Sequence, residues 1–207
     1  MPLSRLTRLS RLGPILLVGV LVFLGAWTAR YNLRDNLVPR NFGVVDEGVL
    51  YRAGRLTPAQ TKALVERHKI KTIIDLGAYR AGSTDERNAQ RTAEALGVAR
   101  FTFTLQGDGS GDPNDYAQAL RIIAKPEFQP VLVHCAAGAQ RTSACVVFYR
   151  EIVQSRGIEE SLPEALRYKH DPAKNPVLEP YIRQWHAAIA KAVREGGSIP
   201  WPMTPQQ

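Results

Sequence analysis

Cysteine is scarce in this chain: its 207 residues hold two, Cys135 and Cys145. They are separated by a turn and part of a helix, a poor geometry for a disulfide, so both are expected to be free thiols. The four histidines and two cysteines show no ligand-like spacing, and neither a metal nor another cofactor is expected. No glycine-rich loop is followed by Lys-Ser or Lys-Thr, which argues against nucleotide hydrolysis of the Walker type. The formal charge of +8 is spread along the chain without basic and aromatic interleaving. It suits an anionic substrate or a membrane surface, and nucleic acid is not an expected partner.

Acids are missing from residues 1–11, which carry Arg5, Arg8 and Arg11, and residues 12–29 carry no charge at all before Arg30. An uncharged run of that length reaches the lower limit for crossing a bilayer. The expectation is a single N-terminal transmembrane anchor over 12–29, holding the protein at a membrane with the side of the folded domain open. A cleaved signal segment is the alternative, disfavoured because Trp27 stands where a signal peptidase needs a small residue. Residues 30–40 read as a linker, 41–195 as the folded domain and 196–207 as a flexible tail.

What the sequence does hold is a strand, a tight turn and a helix around Cys135. Val131-Leu132-Val133 reads as a buried strand, and the chain from Thr142 to about Ser155 as a helix with Cys145, Phe148, Tyr149 and Ile152 facing the core. The turn between them points several backbone N–H groups into one concavity at the positive end of the helix dipole, a natural phosphate site. The amides of Ala136, Ala137, Gly138, Ala139 and Gln140 would bind the anion, and Arg141 offers a planar fork for two of its oxygens. The dipole and the Arg141 cation favour the thiolate form of Cys135, the nucleophile. Gly138 lets the backbone turn without intruding, and the Thr142 hydroxyl is placed to stabilise the sulfur as nucleophile and leaving group. His134 is expected to support the loop and its thiolate by hydrogen bonding.

The spacing Cys-x5-Arg-Thr, preceded by Val-Leu-Val-His and with glycine three residues after the cysteine, resembles the signature of the cysteine-dependent protein tyrosine and dual-specificity phosphatases. Asn41-Phe42-Gly43-Val44-Val45 with Gly48-Val49-Leu50-Tyr51-Arg52 is similar to the opening of the small atypical members of that group, which puts the domain start near residue 40. The resemblance implies a metal-independent phosphomonoester hydrolase working through a phosphocysteine.

The rest of the chain fits an α/β fold: a mainly parallel sheet of about four to five strands flanked by helices. Gly43 to Arg52 reads as a hairpin, Ile70 to Leu76 and Arg100 to Leu105 as strands. Thr57 with Gln60 and Ser83 with Glu86 read as capping boxes opening helices. A helix near Ser161 to Tyr168 is expected to begin close to Pro163, and a last one near Asn175-Pro176 to end at Gly196. Arg52 reads more readily as surface or structural than as substrate-facing, and His68, His170 and His186 as surface residues.

Phosphoryl transfer needs a carboxylic acid to protonate the leaving oxygen. Three aspartates compete in the loop after the Phe101 to Leu105 strand. Asp112 precedes Pro113 and reads as a helix cap, with Asp115 as its first-turn partner. Asp108, between Gly107 and Gly109, is left as the expected general acid, with Asp112 second; in the resembled family the acid also lies at the beginning of this loop. The expected substrate is a phosphorylated protein, on tyrosine or with dual specificity, or a small phosphomonoester. Relatives acting on inositol phosphates or phosphoinositides usually carry Lys, Arg or His in the loop, where this chain has Ala136, Ala137, Ala139 and Gln140. Such a lipid or inositol phosphatase, an inactive phosphate-binding module and a rhodanese-like sulfurtransferase are the alternatives. Ser143 stands where many relatives have glycine.

Overall fold

A computed structural model describes residues 17–27 and 39–201 of the chain. Residues 17–27 form helix α1. Among the described residues no helix is long and apolar enough to cross a membrane, which overturns the expected anchor and the membrane location that followed from it. The expected basic segment, the ends of the uncharged run, most of the linker and residues 202–207 lie outside the described residues.

The unit that begins at Pro39 is built on five four-residue strands: β1 (Gly43–Asp46), β2 (Leu50–Ala53), β3 (Thr72–Asp75), β4 (Ala99–Thr102) and β5 (Val131–His134). Their order across the sheet is β1-β2-β5-β3-β4, parallel except for the β1–β2 hairpin. The central strand β5 pairs with β2 and β3, and its His134 lies in register with Ala53 and Asp75. The next residue on each strand, Gly54, Cys135 and Leu76, therefore emerges at one edge, the carboxyl end where parallel sheets bind ligands.

Strand periodicity divides the core in two. Leu50, Ile74, Val131 and Val133 join one apolar cluster with α4 (Pro113–Ile123), α5 (Gln140–Phe148) and α7 (Leu178–Glu195). Tyr51, Ile73 and Leu132 join the other, beneath α2 (Pro58–His68). Helix α2 opens with the reciprocal Thr57–Gln60 capping box and Pro58 in its first turn. In α3 (Thr84–Ala95) the Ser83 hydroxyl accepts from Glu86 N as expected, but the Glu86 carboxylate accepts from Gly82 N instead of closing the box on Ser83.

Three boundaries differ from the sequence reading. Helix α5 begins at Gln140, two residues early, and passes into a π-helical turn at Tyr149–Val153. That turn lets the Tyr149 hydroxyl and Gln154 amide both reach Asp46 while Arg150 donates to Val45 O. Helix α6 (Ile158–Arg167) starts well before Pro163, with Glu159 and Glu160 in its first turn suiting the helix dipole. Residues 196–201 are not loose: Ile199 exchanges two hydrogen bonds with the Asn114 side chain, and Trp201 packs on Trp185.

Candidate active site

Cys135 follows β5 directly and is 2% exposed. Gly138 N donates to its Sγ at 3.2 Å, so one loop amide already faces the sulfur. What turns the loop inward is the fate of its carbonyls. Ala136 O accepts from Arg55 N (3.0 Å), Ala137 O from Asn41 Nδ2 (2.9 Å) and Gly138 O from Arg52 Nη2 (2.8 Å). Each carbonyl is fixed on the outside, and the N–H of the same planar peptide unit points the opposite way. The Ala137–Gly138 unit is the clearest case, with Asn41 on its oxygen and Cys135 Sγ on its nitrogen.

Gly138 is required twice over. Its φ is +69°, and an added Cβ would lie 2.7 Å from Gly54 N and 2.8 Å from the Ala53 carbonyl, both backbone atoms of the neighbouring strand.

Arg141, in the first turn of α5, donates from Nη1 to Leu76 O (2.8 Å) and Gly77 O (2.5 Å). These carbonyls belong to the loop after β3, which a buried pair steadies: Asp75 Oδ2 accepts from Arg100 Nη2 and Asp75 Oδ1 from Ala78 N, each at 2.6 Å. Thr142 is fully buried, and its Oγ1 has no hydrogen-bond partner among the described residues. The Gln140 side chain accepts at Oε1 from His170 Nδ1 (2.7 Å) when that nitrogen carries the proton.

His134 departs from expectation. Its Nδ1 is buried without a hydrogen-bond partner among the described residues, its ring meets Tyr79 edge-on, and burial lowers its basicity. Its support for the loop is through the backbone, where His134 O accepts from Leu76 N (2.8 Å).

The loop carrying the three aspartates is brought against the cysteine loop. Gly109 is buried with φ +96°, and a Cβ built on it would collide with Leu178 of α7 and touch Gln140 at 3.5–3.6 Å. Four side chains hold this loop from beneath and beside. Tyr116 Oη donates to Gly109 O, Tyr181 Oη to Gly111 O, Asn175 Nδ2 to Asp108 O and Ser110 Oγ to Asp108 Oδ1. Asp108 thus has a structural duty that spacing did not reveal, accepting from Ser110 N (2.9 Å) and Oγ (2.7 Å) in a tight side-chain turn. Asp112 caps α4 through Asn114 N, as expected. Asp115 is half-buried, and burial first and the Asp112 charge second push its carboxyl up from 3.8 to about 6. Both charges bear on Tyr181 of α7.

Of the other histidines His170 is buried, while His68 and His186 are partly exposed and held by neighbours. His170 is 4% exposed, His68 lies 4.4 Å from the Tyr51 ring centroid, and His186 pairs with Glu151 at 2.6 Å. Sequence reasoning missed Asn41 and undervalued Arg52. The signal for Arg52 was a lone cation inside Leu50-Tyr51-Arg52-Ala53, a strand whose every residue is buried.

The family model that matches residues 37–177 is described as DSP-PTPase phosphatase fused to NAD+ kinase. The inositol diphosphatase DSP1 of Oryza sativa subsp. japonica is 32% identical over 115 residues, 53% of this chain. The aligned region spans about half the length of that relative (48%). Among solved structures, the core catalytic domain of the PP-IP phosphatase SIW14 from S. cerevisiae has a TM-score of 0.57 at 22% identity, over 74% of this chain and 96% of that one. A variant of P. aeruginosa TpbA in complex with pTyr has a TM-score of 0.58 at 22% identity, over 75% and 96%.

Proposed function

From the premise that this chain belongs to the DSP-PTPase phosphatase family matched over residues 37–177, a family of phosphoester hydrolases, we propose that it removes single phosphoryl groups from protein phosphotyrosine, or from phosphotyrosine and phosphoserine/threonine alike, through a phosphocysteine. One observation carries the reading: three successive carbonyls of the cysteine loop are bonded from outside while a loop amide meets the sulfur. A ring of inward N–H groups around a thiol is a cradle for a tetrahedral dianion.

In this reading the Cys135 thiolate attacks phosphorus while the loop amides and Arg141 bind the non-bridging oxygens. The bond to the leaving oxygen breaks, and Asp108 supplies its proton. Water then attacks the phosphocysteine, giving its proton to Asp108, and the sulfur leaves as thiolate beside the Thr142 hydroxyl. Asp108 is favoured over its neighbours because the adjacent Gly109 lies between Leu178 of α7 and Gln140 of the cysteine loop, whereas Asp112 caps α4 and Asp115 lies in its first turn.

The neutral side chains of Ala136, Ala137, Ala139 and Gln140 favour a substrate with one phosphate at the site. A second reading, an inositol diphosphatase, draws support from the printed activity of the rice relative. The test is turnover in EDTA and reductant of p-nitrophenyl phosphate, a phosphotyrosine peptide and an inositol pyrophosphate. The proposal expects the peptide to be preferred, activity to survive EDTA, and Cys135→Ser to abolish it. Preference for the pyrophosphate would move the substrate to the second reading. No turnover by the wild type, with vanadate still bound, would leave a phosphate-binding module.

A further inference from the structure

Arg52 heads the largest fully buried side chains among the described residues. A guanidinium in such a place is costly unless anionic or hydrogen-bonding partners compensate it. Here compensation is partial. Nη2 donates to Gly138 O and Ser143 Oγ, both at 2.8 Å, and the Tyr168 ring stacks at 3.6 Å from Cζ. Nε and Nη1 have no hydrogen-bond partner, and no carboxylate forms an ion pair with the group, among the described residues. Burial lowers it from 12.5 to about 10, so it remains a cation at neutral pH, and the charges that oppose that shift are those of Tyr168 and Glu164 first and of Cys135 and Cys145 after them.

An incompletely compensated cation is thus clamped to the back of a loop built for an anion. Charge in a water-poor interior acts over longer distances than at a surface. We propose that Arg52 is a positioning residue that supplies a second positive charge to the site from behind the loop, holding Cys135 as thiolate and keeping the Gly138 peptide turned toward the anion. Ser143 completes this arrangement: a glycine there would leave the Arg52 fork with one acceptor fewer.

The inference rests on Cys135 as the nucleophile, and its test is read without turnover, so the two stand or fall separately. The rate of iodoacetamide alkylation at Cys135 is followed against pH by peptide mass spectrometry in the full chain. Arg52→Met is expected to alkylate on the order of tenfold more slowly near pH 6 and to converge on wild type at high pH. Arg52→Lys keeps the charge without the fork and is expected to stay within about twofold of wild type near pH 6. Ser143→Ala, which keeps the charge, is expected to follow the wild-type profile. A folded Arg52→Met variant with the wild-type profile overturns the proposal. So does an Arg52→Lys variant whose profile is displaced toward high pH, because the role would then belong to the hydrogen bonds alone. Should Arg52→Met fail to fold, Arg52→Gln takes its place, with the same slower alkylation near pH 6 expected and a wild-type profile overturning the proposal.

Discussion

Asp115 and Asp108 stand in the same short segment, and their environments give opposite expectations for the same Asp-to-Asn change. The Asp115 carboxyl is raised to about 6 in the folded chain from 3.8. A raised acid contributes stability that is present below the unfolded value and lost as pH rises through the folded one, so above about pH 6 the ionised group is a liability. Asp115→Asn should therefore raise the melting temperature at pH 8, leave it nearly unchanged at pH 4, and keep phosphatase activity. Asp108→Asn should lower kcat/KM on a phosphotyrosine peptide by about 10²–10⁴, the range of one general acid. It should matter less for p-nitrophenyl phosphate, whose leaving group needs little protonation. If Asp115→Asn rather than Asp108→Asn removes activity, the acid has been assigned to the wrong carboxylate. At Gly138, alanine meets both a positive φ and backbone 2.7–2.8 Å away, so Gly138→Ala should abolish vanadate binding even in protein that still folds.

At the scale of elements, the cysteine loop is held less by its own residues than by chain remote in sequence. The segment before β1 crosses the loop. Gly54 N donates to Arg40 O, and Asn41, at φ +50°, reaches Ala137 O and Tyr168 O. Asn41→Ala would release the peptide whose N–H meets Cys135. We expect a rise in KM and a loss of about 1–3 kcal/mol in stability from the unpaired carbonyl, checked by steady-state kinetics and urea denaturation. The strand, turn and helix around Cys135 were legible because apolar runs, a Cys-x5-Arg spacing and a glycine are local features. The holders were not, because Asn41 lies 96 positions from Ala137, and Arg52 86 from Gly138. Only the parallel register of β2, β5 and β3 brings these positions together. Pro163 misled for the converse reason. A local rule placed a helix start there, and packing with the acid-rich turn before it carried the helix through. The expected membrane anchor failed in a similar way, since an uncharged run sets an upper bound on a span and does not itself make a helix of that length.

For the whole molecule, acid is predicted to act through buried histidines. Burial lowers His134 and His170 from 6.5, so below that value the unfolded chain takes up protons that the folded chain refuses. Their contribution is complete above about pH 6.5 and lost as pH falls, opposite in sign to that of Asp115. In an Asp115→Asn background, which removes the opposing group, the urea midpoint should fall between about pH 7 and pH 5. The same layering, with a buried cation, neutral histidines and a reactive thiol at one edge of a parallel sheet, is what makes the protein a candidate for covalent phosphoryl transfer. The most direct test of that chemistry is rapid acid quench of the enzyme turning over p-nitrophenyl phosphate, followed by peptide mass spectrometry. The account predicts one added phosphoryl group on the peptide containing Cys135, absent in Cys135→Ser. Turnover that proceeds in Cys135→Ser, or that carries the phosphoryl group on another residue, would contradict it.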